Sequence, residues 1–255
     1  MRQGKTLCIF NIKGGEGKTS VVLNLAAALA EQDQKILMVD IDAQSTLTVK
    51  CGYGLFSLKQ TIYHALLGSI PLRDVIQTTT LHQNIFLAPA DLNLAAAERE
   101  LFSNNPSWGH VLDRVLKPVR AEYDYVLIDC PGASIVLTTN AIIASQAVLC
   151  PMQCADLSLH VYPIVERDIK VLAKHRGVEI PIFVVRTLMD NTVHARQASK
   201  AIEDALHDQV LRSIIKRRAV IRDAMAANQS VLQYASDSDI AKEYRKLAKE
   251  VMSHV

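Results

Sequence analysis

The stretch Lys13-Gly14-Gly15-Glu16-Gly17-Lys18-Thr19-Ser20 constrains this chain more than any other. An apolar run, 7–12, precedes it, and a helical pattern follows, with Val21, Val22, Leu25 and Leu29 on one stripe. Strand, glycine loop and helix in this order form the context in which a glycine-rich segment wraps phosphate. Glycines let backbone N–H groups close around phosphate oxygens, and the helix N-terminus adds a favourable dipole. In such a loop Lys18 reaches the β- and γ-phosphates and the Thr19 hydroxyl ligates Mg²⁺. The pattern departs from G-x-x-x-x-G-K-[ST], because Ile12 stands at the first glycine. It fits K-G-G-x-G-K-[ST] instead, with an added lysine at Lys13.

Apolar runs alternate with helical patterns to the end of the chain. Strands are expected at 6–12, 35–41, 85–88, 125–129, 147–152, 180–185 and 210–215. Helices are expected at 18–32, 58–67, 92–103, 107–116, 137–145, 158–175, 193–206 and 240–253. Most strand runs are continuously apolar, as parallel strands covered on both faces require. The alternation predicts an α/β fold, a doubly wound, mostly parallel sheet of about 7–8 strands with helices on both faces, and the glycine loop after its first strand makes the expected type that of the P-loop NTPases. Ligands of such sheets bind beyond the carboxyl ends of the strands, where the glycine loop falls.

The chain has 255 residues, 49% of them hydrophobic, and no Pro/Gly/Ser-rich linker divides it. One domain over 1–255 is therefore expected. A net charge of +2 excludes a polycation, so nucleic-acid binding would need a local patch. The five cysteines have no zinc spacing and are read as buried thiols of a cytosolic protein. The first apolar run is too short for a signal peptide, and no run approaches membrane-spanning length.

Two strand ends carry acids. Asp40 and Asp42 stand two residues apart, on one side of a strand, where such a pair can hold a metal-bound water or position a nucleophile. The run 125–129 ends in Asp129, followed by Cys130-Pro131-Gly132. An apolar strand ending in aspartate beside a phosphate loop resembles the Mg²⁺-side acid of P-loop NTPases.

Together these residues resemble the ParA/MinD family of deviant Walker A ATPases, and within it the short, Soj-like ParA branch. Besides the loop, Val39-Asp40-Ile41-Asp42-Ala43-Gln44 resembles the family's V-D-x-D-P-Q, and Asp129-Cys130-Pro131 its D-x-P-P switch. Asn140-Ala141 with Val148-Leu149-Cys150-Pro151-Met152-Gln153 resembles its "N-A…V-L-I-P-V-Q" segment. The resemblance implies an ATP site at 13–20, with Lys18 on phosphate and Lys13 reaching across a sandwich dimer to the partner's nucleotide. It implies that Asp42 orients the attacking water, and that Thr19, Asp40 and Asp129 form the Mg²⁺ side. It further implies an ATP-dependent homodimer with weak ATPase activity, nonspecific double-stranded DNA as ligand, and a ParB-like or other cargo adaptor as partner. The expected setting is cytoplasmic and nucleoid-associated, with no membrane.

Three positions depart from the family pattern: Glu16 replaces a small apolar residue, and Ala43 and Gly132 replace prolines. A glutamate pointing inward at Glu16 would repel the γ-phosphate, and Gly132 is expected to loosen the switch loop. The basic residues Lys216, Arg217, Arg218 and Arg222 are the candidate DNA contacts, able to neutralise phosphates without reading bases. The alternative is a MinD-type membrane-surface ATPase. It would need the last helix to insert, yet Ile240, Tyr244, Leu247 and Val251 read as a core stripe.

Overall fold

A computed structural model describes residues 4–54, 56–104 and 107–255. The strands are β1 (Lys5–Ile9), β2 (Ile36–Asp40), β3 (Gln77–Thr78), β4 (Ile85–Ala88), β5 (Tyr125–Asp129), β6 (Ala147–Gln153), β7 (Ile182–Met189) and β8 (Val210–Lys216). The helices are α1 (Lys18–Ala30), α2 (Thr46–Lys50), α3 (Ile62–Leu66), α4 (Leu72–Val75), α5 (Leu94–Asn104), α6 (Val111–Leu116), α7 (Ile135–Ala144), α8 (Asp156–Arg176), α9 (Val193–Leu206), α10 (Ala219–Ala226), α11 (Val231–Tyr234) and α12 (Asp239–His254). The eight strands among the described residues form one sheet in the order β3-β4-β2-β5-β1-β6-β7-β8. Every pairing is parallel except β3 with β4. This is the doubly wound α/β sheet that the alternation predicts.

Alternation along each strand sends side chains to two cores. On β1, Leu7 and Ile9 join the core under α1 and α12, while Cys8 joins the one under α6, α7 and α8. Both faces are covered, which explains why the central strands read as unbroken apolar runs. The α12 stripe of Ile240, Tyr244, Leu247 and Val251 is buried, as the core reading expects. Tyr244 meets the phosphate-loop helix directly, its hydroxyl 3.3 Å from Ser20 Oγ. Asn24 ties the same helix to α11 by accepting from the Val231 amide at 2.7 Å. No helix of the described residues is long and apolar enough to cross a membrane.

Candidate nucleotide site

The site is assembled where β1, β2, β5 and β6 end. Because these strands are parallel, their carboxyl ends lie on one sheet edge, and the segments that leave them share a mouth. Gly15 (φ 80°) and Gly17 (φ 89°) take the left-handed backbone that turns the chain from β1 into α1. Gly17 is the N-cap of α1 and no side chain caps that helix. The first-turn amides are therefore not answered by a cap, which is the arrangement that favours an anion. Lys18 Nζ donates to the carbonyls of Asn11 (3.1 Å) and Lys13 (3.3 Å), folded across its own loop.

Asp40 and Asp129 are register neighbours at the ends of β2 and β5. Both are buried. Burial, opposed in part by bonds from Thr48, pushes the Asp40 carboxyl up to about 6. Burial and then the Asp40 charge hold the Asp129 carboxyl well above the ordinary carboxylate range, against a hydrogen bond from Thr19 and the Lys18 charge. The two acids have different surroundings. Asp40 Oδ2 accepts from the Thr48 amide (2.9 Å) and hydroxyl (2.7 Å), and its Oδ1 accepts from the Asp42 amide (3.1 Å). Thr48 Oγ1 in turn accepts from the Ala90 amide at 2.9 Å. Asp129 keeps a buried Oδ1 that has no partner. An orphaned carboxylate oxygen beside a threonine hydroxyl fits a divalent cation or its water. With both oxygens engaged, Asp40 braces the loop that leads to Asp42.

Asp42 is half-buried, and its Oδ1 accepts from the Gln44 amide at 2.9 Å. Ser45 follows at φ 53°, its amide bonded to the Asp42 carbonyl at 2.8 Å. The turn that presents Asp42 is thus held at both ends. Gly132, on the switch loop after β5, lies directly against the phosphate loop. A Cβ at this glycine would sit 3.1 Å from the Ile12 carbonyl oxygen and 3.4 Å from Lys18 Nζ. Its lack of a side chain serves close approach.

Glu16 is fully buried and points into the protein. Its Oε1 pairs with Lys13 Nζ at 2.6 Å and accepts from Ser158 Oγ at 3.3 Å, while Oε2 accepts from the Gln153 amide. Thr187 Oγ1 donates to the Glu16 carbonyl at 2.9 Å. The local sequence carried no signal for this cluster, whose members come from β6, β7 and α8.

A family model described as an AAA domain matches residues 4–181. The chain is 33% identical to the sporulation initiation inhibitor protein Soj of Bacillus subtilis, covering 98% of this chain and 99% of that protein. The chain belongs to the ParA/MinD ATPase family, as a Soj-like member. It is likewise 31% identical to the chromosome partitioning protein ParA of Myxococcus xanthus, over 98% of this chain and 88% of that one. Among solved structures it is similar to cobyrinic acid a,c-diamide synthase of Mycobacterium smegmatis with a bound ATP analogue and magnesium. That likeness has a TM-score of 0.85 and 28% identity, over 98% of this chain and 95% of that one. The cell division ATPase MinD of Pyrococcus furiosus shares the fold at a TM-score of 0.80 and 24% identity, over 99% and 100% of the two chains.

The basic residues of this Soj-like chain lie at the far end of the same sheet edge. Arg212 and Lys216 are exposed on β8, Arg217 is exposed beyond it, Arg218 is the N-cap of α10 and Arg222 is exposed on that helix. Lys246 and Lys249 of α12 line one groove with Arg212 and Lys216, an extension that spacing alone did not reveal. Glu243 and Glu250 share that groove. Lys170 and Lys174 line a different one. All five cysteines are buried and free, and no cluster of three or more His, Cys, Asp or Glu side chains placed to hold a metal ion is found among the described residues.

Proposed function

We propose that this chain is an ATP-driven dimerisation switch that binds double-stranded DNA without reading its sequence and so positions a plasmid, chromosome region or other cargo. The observation that carries this reading is the shared mouth. An uncapped helix start, Lys13, Lys18, Asp42 and an orphaned Asp129 oxygen converge on one sheet edge, in a chain with Soj-like similarity over nearly its whole length.

The bound species is ATP with Mg²⁺, and the cation supplies charge neutralisation across the phosphates. The loop amides of 14–20 bind the phosphates, and Lys18 leaves its two carbonyl partners for the terminal ones. Thr19 and Asp129 hold the metal side, with Asp40 as the strut behind them. Asp42 orients the attacking water from its braced turn. Lys13 supplies a cation to the partner's nucleotide, so hydrolysis depends on dimerisation. Phosphoryl transfer needs this positioning and charge more than covalent help. An adaptor protein of ParB-like kind accelerates an otherwise weak hydrolysis and releases the DNA.

Arg217 and Arg218 sit three strands from β1, about 14 Å at the usual strand spacing. DNA binding and phosphate binding are thus separable surfaces of one edge. The alternative, a membrane-surface ATPase of MinD type, is disfavoured by the buried stripe of α12. Purified protein with Mg·ATP, offered random-sequence DNA and anionic liposomes in parallel, distinguishes the two. Retention on DNA alone supports the proposal. Pelleting with liposomes and not with DNA overturns it.

A further inference from the structure

Glu16 has no evident use in binding phosphate through its side chain, yet it is the most heavily engaged residue of the loop. Its carboxylate is fully buried, both oxygens are occupied, and its carbonyl is held by Thr187. Its ionic partner is Lys13, at 2.6 Å. Lys13 Nζ donates a second bond to Ser158 Oγ at 3.1 Å. The lysine assigned to the partner's nucleotide is therefore occupied within its own subunit, turned toward β6 and α8. Its side chain keeps 27% exposure, against none for Glu16, so the ammonium can depart while the carboxylate cannot follow.

We propose that Glu16 is a positioning residue that holds Lys13 against its own subunit, so that dimerisation requires exchange of this ion pair for the partner's phosphate. The inference rests on the trans role of Lys13 proposed above. The exchange is feasible because Glu16 retains the Gln153 amide and the Ser158 hydroxyl as donors after the lysine leaves. A terminal phosphate carries more charge than one carboxylate and competes well for the ammonium. The cost falls on the monomer–dimer equilibrium, because the competent state is a minor population and the apparent Kd is the intrinsic Kd divided by its fraction.

The test is the protein concentration at half-dimerisation, by sedimentation velocity with a saturating non-hydrolysable ATP analogue and Mg²⁺. Saturation removes nucleotide affinity from the comparison. Glu16→Gln keeps the shape and removes the charge, and is expected to lower the midpoint by roughly tenfold relative to wild type. A merely structural residue would move it upward or not at all. Lys13→Ala/Glu16→Gln is expected to remain monomeric, since the gain runs through Lys13. If Glu16→Gln fails to fold, Glu16→Ala, of the small apolar type that the family carries at this position, removes the same charge and should likewise lower the midpoint. An unchanged or raised midpoint in the folded variant overturns the role of Glu16, while the switch itself stands if wild type dimerises and Lys13→Ala does not. A wild type that binds the analogue and stays monomeric overturns both.

Discussion

Replacing Asp129 by asparagine should stabilise the nucleotide-free protein and weaken its response to Mg·ATP. Asp129 sits across the β2–β5 register from Asp40, buried, with one oxygen unpartnered. A buried unsatisfied acceptor costs about 1–3 kcal/mol, and a second buried carboxylate adds repulsion. Asparagine removes the buried charge and its repulsion with Asp40 and still accepts from Thr19, at the expense of the Lys18 attraction and with its amide N–H group in the unpartnered position, leaving a net gain of about 1 kcal/mol near pH 7.5. For a chain of this size that is about 2–4 °C in Tm per kcal/mol. The pH dependence has a definite sign. The folded carboxyls of Asp40 and Asp129 lie above their ordinary value of 3.8, Asp40 at about 6. The folded state then holds protons that the unfolded chain has released, so this pair's contribution rises as pH falls through about 6 toward 3.8. Asp129→Asn should flatten that rise. With Mg·ATP the order reverses: wild type gains about 2.7 kcal/mol at a hundredfold excess over Kd, and the variant much less. Urea denaturation in EDTA and again in Mg·ATP measures both. A variant less stable than wild type in EDTA refutes the reasoning.

Lys18→Ala should abolish nucleotide binding, because the loop loses the ammonium that now bonds Asn11 and Lys13; unchanged ATP affinity by calorimetry would refute the site. Asp42→Ala should retain ATP and block hydrolysis, leaving a dimer that persists on size exclusion, whereas wild-type turnover would remove its role. Arg217→Ala with Arg218→Ala should weaken DNA binding and flatten its log–log salt slope, by about 0.9 for each phosphate that is no longer neutralised. ATP-driven dimerisation should be intact in that variant, and equal DNA affinity at every salt concentration would reduce the patch to a solvated surface.

The parallel core was legible because its strands are buried on both faces. β4 and β5 begin and end where their apolar runs do. The same holds for α9, whose Thr192 side chain caps it by accepting from Ala195 at 3.1 Å. Short elements escaped. β3 is a two-residue antiparallel edge, too brief to show a period, and α2, α4, α10 and α11 span 4–8 residues. The helix expected from 58 begins at Ile62, where Thr61 and His64 form a capping box. The expected helix at 107–116 opens instead as a 3₁₀ turn, Trp108–His110, before α6. Strand β7 begins two residues late and runs on to Met189, its pairing with β8 interrupted by register shifts.

At the site, the glycine loop and strand-end acids were readable because each is local. What the acids touch was not. Asp40 has the strand-end position that the local pattern marks, and the bonds it accepts from Thr48, on α2, come from a part of the chain that the pattern does not reach. Glu16 pairs with Lys13 three residues earlier, but the residues that bury it and hold it in place lie 137 to 171 positions away in the chain, so no local pattern announces its inward orientation. Gly132, expected to loosen the switch loop, is packed against Ile12 and leaves no room for a Cβ without movement.

The most direct test of the central claim is the mass of the wild-type protein in solution by light scattering, in Mg·ATP, in Mg·ADP and without nucleotide. A switch of the kind described here doubles its mass in Mg·ATP alone, and Lys13→Ala abolishes that doubling. One mass under all three conditions, with ATP binding verified by calorimetry, would contradict the account.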